Sequence, residues 1–300
     1  MSHHKKPFII RKFVEFIIWP IEGVIVTILV GMIRLLPVRI TSAICGHLLS
    51  FIGPMTSFHK RSLHHIALAL PTYSEVEKRQ IVSDMWMHIG RVIGEYPHIH
   101  KMADERFITY HGLEYLPDTP TGCLIIGAHL GNWEMNVLYS MRRDEPYGVI
   151  YRPLNNPIAN WVLNMRHKRG AVQSFIKGDD AGKGMIRTIK DKNYFYLLVD
   201  QKYRQGIDVP FLGHPGKTAT GHIKLALKYN IPIFFMHAIR STGCHFDCYI
   251  EPCPIFDDDG KGSDEAIQKN AKIINDKLSE IIRRYPGQYL WPHRRWGKDI

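Results

Sequence analysis

From residue 122 onward the chain alternates two patterns of apolar positions, and the alternation predicts strands separated by helices. Leu124 to Ile126 is a short continuous apolar run closed by Gly127 and Ala128, which reads as a buried strand of a parallel sheet. His129 then falls at the carboxyl end of that strand. Gly131 lets the chain turn and Asn132 is a good N-cap. From Trp133 the apolar positions Met135, Val137, Leu138 and Met141 have helical spacing. Tyr147 to Tyr151 predicts a second strand, ending at Arg152, and Asn155 to Lys168 a helix with Ile158, Trp161, Val162 and Met165 inward. Gly178 to Lys190 reads as a helix and Tyr194 to Val199 as a buried strand that ends in Asp200 and Gln201. A helix over Thr218 to Lys228, strands over Ile233 to Ile239 and Cys244 to Glu251, and a long helix over Asp264 to Arg284 complete the pattern. Strands alternating with helices predict an α/β fold with a mainly parallel sheet flanked by helices.

The amino-terminal third is patterned differently. Residues 16 to 36 are apolar apart from Glu22 and Arg34, with Gly23 to Ile33 an unbroken run. Such a stretch is long enough to cross a bilayer if Glu22 is tolerated. No small-residue cleavage site follows it, so it is not a signal peptide. Lys5, Lys6, Arg11 and Lys12 precede it and resist export, which favours a helix lying in or dipping into the inner leaflet. Ile40 to Ile52 predicts a further helix rich in small and apolar residues. Ser74 caps another, whose Val82, Met85, Ile89, Val92 and Ile93 share one face, ending near Gly94 and Glu95. The expected organisation is a membrane anchor over 1–40 and one catalytic domain over 41–300, with a helical part at 41–110 and an α/β core at 111–300.

Charge narrows the partners without choosing one. The net charge is +11 and the sequence pI about 9.4, while 45% of residues are hydrophobic, a balance suited to anionic lipids, phosphorylated substrates or an acidic carrier protein. No zinc-finger spacing, RNA-recognition signature or basic recognition helix supports a nucleic-acid partner. Cys45, Cys123, Cys244, Cys248 and Cys253 are odd in number, which argues against structural disulfides, and the last three alternate as small fillers of a strand. No metal site is expected there, at the His59, His64 and His65 stripe, or at the exposed turn Asp257-Asp258-Asp259. Gly216-Lys217-Thr218 is not a P-loop, because Phe211 stands where that motif needs glycine.

The residues suited to chemistry gather at strand ends, where open α/β sheets bind ligands. His129 and Glu134 would point about 140° apart on one continuous helix, but a turn between them removes that obstacle. His129 can then act as general base on a substrate hydroxyl. Glu134, accepting from the other ring nitrogen, would fix the tautomer and stabilise the imidazolium. Arg152 and Arg166 are natural clamps for phosphate or carboxylate groups. Together with Asp200, Gln201 and Asn132 they form the candidate substrate-binding set.

His129-x-x-x-x-Glu134 is followed in order by Tyr151-Arg152-Pro153-Leu154-Asn155-Asn156-Pro157, by Asn160, Arg166 and Gly170, by Asp200-Gln201, by Val209-Pro210-Phe211-Leu212-Gly213, and by Tyr289-Leu290-Trp291-Pro292-His293-Arg294-Arg295-Trp296. From Arg61 to Trp296 the chain resembles the late acyltransferases of bacterial lipid A biosynthesis, of the lauroyl and myristoyl transferase type, within the glycerolipid acyltransferase superfamily. The resemblance implies transfer of a fatty acyl group from acyl carrier protein to a hydroxyacyl chain of an anionic lipid A precursor. The acyl thioester is expected as co-substrate with no further cofactor, and the residues themselves argue against a metal and a nucleic-acid partner. The resemblance also implies one spanning amino-terminal helix at the cytoplasmic face of the bacterial inner membrane. Another polar membrane lipid as acceptor, a thioesterase using water, and a basic binding protein without activity are the alternatives.

Overall fold

The structure is a computed structural model that describes residues 8–117, 121–164, 172–176, 178–256, 260 and 262–297. Five helices come first: α1 (Phe8–Phe13), continuing through a π-helical turn Val14–Ile18, then α2 (Trp19–Leu35), α3 (Val38–Ile52), α4 (Ser57–Ala69) and α5 (Glu75–Glu95). Strands β1 (Ile108–His111), β2 (Cys123–Gly127), β3 (Tyr147–Tyr151), β4 (Val172–Ile176) and β5 (Tyr194–Leu198) are separated by α6 (Leu138–Arg142), α7 (Pro157–Asn164) and α8 (Asp179–Lys190). A hairpin of β6 (Ile207–Phe211) and β7 (His214–Thr218) follows. Then come α9 (Gly221–Tyr229), β8 (Ile233–Thr242), β9 (His245–Cys253) and α10 (Asp264–Arg284).

Seven strands form one sheet in the order β1-β9-β8-β2-β5-β3-β4. β2 is flanked by parallel β8 and β5, with Ile125 opposite Phe234 on one side and Tyr196 on the other. All five of its residues are buried, as a run with no polar position requires. β9 turns back antiparallel to β8, and β1 runs parallel to β9. The starts of β1 and β9 therefore lie on the same edge of the sheet as the carboxyl ends of β2, β3, β5 and β8. His129 and Asp200 both lie at that shared edge.

α5 begins at a capping box: Glu77 N–H donates to Ser74 Oγ at 3.3 Å, and Ser74 N–H donates to Glu77 Oε2 at 2.7 Å. α3 packs against α5 through small residues. A Cβ at Gly46 would meet Met87, one at Gly90 the carbonyl of Cys45, and one at Gly94 the carbonyl of Thr41. The buried positions of α3 are Thr41, Ser42 and Gly46, while Ile44, Leu48 and Phe51 point outward. This helix is inverted relative to one facing a soluble core.

Several expectations need correction. No continuous helix follows Asn132, because a 3₁₀ turn over Trp133–Met135 precedes the short α6. The buried face of α7 is Ala159 and Val162, whereas Ile158 and Trp161 are exposed, Ile158 lying against Gly23 of α2. Thr218 ends β7 instead of starting a helix, since the chain from Ile207 to Thr218 folds back at Leu212-Gly213, both at positive φ. Arg166, Met165, Lys168, Gly170 and Asp257-Asp258-Asp259 lie outside the described residues. All five cysteines are free thiols.

Candidate active site

His129 stands two residues past the end of β2, and the turn from His129 to Asn132 is pinned from two sides. On one side Asn132 N–H donates to the Ala238 carbonyl of β8 at 3.0 Å. On the other, Gly131 N–H donates to the Gln288 carbonyl and Leu290 N–H to the His129 carbonyl, each at 3.0 Å. Gly131 has φ of 57°, and a Cβ there would collide with the Ala238 carbonyl, so only glycine fits this turn. The Asn132 side chain caps the 3₁₀ turn by accepting from Glu134 N–H at 3.3 Å.

Behind the turn is a buried charged cluster. Asn132 Nδ2 donates to Glu95 Oε2 at 2.9 Å, Ser42 Oγ donates to Glu95 Oε1 at 2.7 Å, and Arg240 Nη2 donates to Glu95 Oε2 at 2.9 Å. Arg240 Nη1 also reaches Glu95 Oε1, and its Nε donates to His88 Nδ1 at 3.4 Å. Glu95 is fully buried, so its charge depends on these donors. Helices α3 and α5, the end of β8 and the turn after His129 are thus tied at one carboxylate.

The His129 ring is held at both nitrogens. Nδ1–H donates to Asp200 Oδ1 at 2.8 Å, and Gln201 Nε2 donates to Nε2 at 3.2 Å. A carboxylate can only accept, which places the ring proton on Nδ1 and leaves Nε2 as the basic atom. Asp200 and Gln201 come from the end of β5, next to β2 in the sheet, so strand adjacency brings them to His129. The sequence pattern points to Glu134 as acceptor from the ring nitrogen opposite the basic one and to Asp200 and Gln201 for substrate, and the structure sets Asp200 at Nδ1. Glu134 lies half-buried in the following turn, and the Trp133 ring centroid stands 5.3 Å from that of His129.

Burial alone would raise the Asp200 carboxyl, but the facing His129 outweighs it and holds the group below its ordinary value. The carboxy-terminal segment closes the site around it. Burial pushes His293 down to about 4 against the opposing pull of Asp200, so this imidazole is neutral near pH 7. Tyr289 is buried beside the same carboxylate, and burial and that negative charge both raise its phenol well above the ordinary value. Arg295 is 1% exposed and clips the segment to the hairpin, donating from Nη1 to the Lys217 carbonyl at 2.8 Å and from Nη2 to Thr218 Oγ1 at 2.7 Å. Tyr289 and His293 had no individual assignment from the sequence. Their only signal was membership of the Tyr289 to Trp296 block.

Arg152 is exposed just beyond β3, on the same sheet edge, two strands from β2. The amides of Gly131, Asn132, Glu134 and Met135 all have internal acceptors. A cavity of about 810 Å³ lies away from His129, between the α2–α3 corner and the segment leading into β1. It holds none of the candidate residues. An imidazole held in this tautomer, with its basic nitrogen met only by an exchangeable amide donor, has the chemistry to take a proton from a bound hydroxyl or water.

The chain matches the family described as bacterial lipid A biosynthesis acyltransferase over residues 10–298. A lipid A biosynthesis lauroyltransferase of Escherichia coli (strain K12) is 26% identical, the match covering 77% of this chain and 76% of the relative. A lipid A biosynthesis palmitoleoyltransferase of the same strain and a lipid A biosynthesis acyltransferase of Shigella flexneri are each 23% identical, with the same shares covered.

Proposed function

The chain belongs to the bacterial lipid A biosynthesis acyltransferase family, and on that premise we propose that it moves a fatty acyl group from acyl carrier protein to a hydroxyacyl chain of a lipid A precursor. The observation that carries this reading is His129 at the end of the central strand, its Nδ1 2.8 Å from Asp200. The acceptor hydroxyl displaces the Gln201 amide from His129 Nε2 and gives up its proton there. Its oxygen attacks the thioester carbonyl, forming the C–O bond of a tetrahedral adduct. Collapse of the adduct breaks the C–S bond, and the leaving thiolate recovers the proton from the imidazolium.

Asp200 takes the orienting role, fixing the Nδ1–H tautomer and stabilising the imidazolium. The displaced Gln201 amide serves as a donor to the developing oxyanion, since the amides of Gly131, Asn132, Glu134 and Met135 are engaged. Glu134, in the next turn, is the second carboxylate of the site and Asn132 anchors that turn to Glu95. Arg152, and Arg166 with it, hold the anionic acceptor. The reaction as written uses the acyl thioester as co-substrate and no cofactor, and it takes place at the cytoplasmic face of the inner membrane, where the net charge of +11 favours both an acidic carrier and an anionic lipid.

The test uses detergent-solubilised full-length protein, labelled acyl carrier protein and a lipid A precursor, with the product identified by mass spectrometry. Thioester loss that requires the acceptor and yields a product heavier by one acyl group is expected. Equal thioester loss without acceptor would make the protein a hydrolase, and acylation of a different polar lipid would replace the acceptor.

A further inference from the structure

Three segments meet beside His129 and Asp200, and none of them contains an Asp or a Glu: α4, the loop 201–207 after β5, and the carboxy-terminal segment 285–297. Lys60, Arg61, Lys202, Arg204 and Arg294 are the basic residues that they leave half-buried or exposed. The carboxy-terminal segment is held between the other two. His65 Nδ1–H donates to the Trp291 carbonyl at 2.8 Å and Arg61 Nη1 to the Pro292 carbonyl at 3.2 Å. On the other side Lys202 Nζ lies 3.0 Å from the place that a Cβ would take on Gly297.

Arg61 is built into this corner. It is half-buried, and its guanidinium stands 5.1 Å from the ring of Phe58, one turn earlier on α4. A guanidinium presents five N–H donors in a rigid fork. Among the described residues the Pro292 carbonyl is the only acceptor that the Arg61 fork meets. Arg294 is exposed, and its side chain makes no ion pair or hydrogen bond among the described residues. Burial first, and the charge of Arg294 second, hold Arg61 below its ordinary value. The two guanidinium groups therefore repel one another with no carboxylate to offset them. An anion placed between them reverses that cost, and a phosphate matches the fork bidentately.

The pair is close to the reacting atoms. His293 feels the charges of Asp200 and His129 and also that of His65, and His65 in turn feels Arg61 and Arg294. Burial is the main cause that pushes both of these imidazoles down, so two neutral rings lead from the His129–Asp200 pair to the arginine pair. A group bound there is a near neighbour of the hydroxyl that His129 deprotonates. Such proximity suits a phosphate ester on the acceptor itself and not one at the far end of a carrier's long arm. Arg152 belongs to another part of the sheet edge, at the end of β3.

We propose that Arg61 and Arg294 form a second anion site, separate from Arg152, that grips a phosphate ester group of the acceptor and so sets its hydroxyl against His129. Arg61 is the fixed half of the site, and Arg294 meets the phosphate from the exposed side. Naming the acceptor rests on the acyl-transfer reading, whereas the anion site itself does not.

Two measurements on detergent-solubilised full-length protein separate these claims. In the first, inorganic phosphate is the probe, added at constant ionic strength. It should raise the unfolding midpoint of the parent and of Lys190→Gln on α8, but not that of Arg61→Gln or Arg294→Gln. No shift in the parent, an equal shift in both arginine variants, or loss of the shift in Lys190→Gln would overturn the site. Arg294→Gln keeps this readout clear of folding, because the residue is exposed. In the second, both arginine variants should raise the acceptor KM on the order of tenfold, with kcat and the donor KM little changed. On an acceptor stripped of its phosphates, parent and variants should be equal. A rise in the donor KM instead would overturn the acceptor assignment, and an equal loss on the stripped acceptor would overturn the phosphate contact. A parent that transfers no acyl group while still responding to phosphate would sink the acyl-transfer reading and leave the anion site standing.

Discussion

β2 and α2 are both nearly pure apolar runs, and the fold treats them in opposite ways. β2 is wholly buried between two strands, whereas α2 covers itself only at Gly23. The difference lies in what surrounds the apolar residues. β2 has neighbours that satisfy its backbone on both sides, so its side chains close a core. A helix satisfies its own backbone and can leave its side chains facing lipid. α3 sharpens the contrast, because its buried positions are Thr41, Ser42 and Gly46 while its isoleucines and leucines face out. Hydrophobicity alone does not assign an element to the core; the placement of small and polar residues does.

The contrast makes the strand ends around His129 sensitive to small changes of charge and shape. The largest expected effect short of removing the base is at Asp200. Asp200→Asn keeps the shape but removes the charge that stabilises an imidazolium, and a loss of acyl transfer on the order of 10²- to 10⁴-fold is expected. Glu134→Gln, measured in parallel, should lose less. The opposite ranking would move the orienting role from Asp200 to Glu134.

Next comes the cluster that joins the two regions. Glu95→Gln leaves Arg240 buried without its counter-charge and should cost about 3–5 kcal/mol, read as a lower unfolding midpoint in detergent. Activity should fall with it, because Asn132 loses its anchor. A variant as stable as the parent would mean that Arg240 finds another partner.

Acid should weaken the buried body. His88 is pushed down to about 3, and His222, His237 and His293 to about 4, burial being the main cause in each. Unfolded histidines bind protons near pH 6.5 while these native ones do not, so stability should fall as pH drops from about 6.5 to about 4. The lowered Asp200 carboxyl acts in a lower window, its contribution being lost only below its ordinary pKa of about 3.9. His222→Gln, remote from the catalytic ring, should flatten the slope between pH 6.5 and 4 by about one proton. An unchanged slope would remove His222 from this account.

The smallest effect is expected at Arg152, which is exposed on the edge and makes no part of the buried network. Arg152→Lys retains charge but not the guanidinium fork, so the acceptor KM should rise several-fold with kcat little changed. Unchanged kinetics would remove it from the acceptor site.

Much of the central sheet was legible because its strands are unbroken apolar runs ending in polar residues, as at Ile126 to His129 and Val199 to Gln201. The edge strands Ile108–His111 and Val172–Ile176 were not, being half polar and bounded by no strong turn signal. The β6–β7 hairpin was hidden by Pro210 and Pro215, which sit opposite one another in its register. At the site, His129 could be read from its place after a strand. Its partnership with Asp200 could not, because β2 and β5 are neighbours only through a sheet order that sets β3 and β4 outside them. Tyr289 and His293 reach Asp200 from an irregular segment that carries no periodic signal.

The central claim is that His129 is the base of an acyl transfer to a membrane lipid. It is tested most directly by the rate of acyl transfer from labelled acyl carrier protein catalysed by His129→Ala, with unfolding midpoint and membrane partition measured on the same preparation. The account predicts a loss on the order of 10² to 10⁴-fold with both physical properties unchanged. A well-folded, membrane-bound His129→Ala protein of full activity would contradict it.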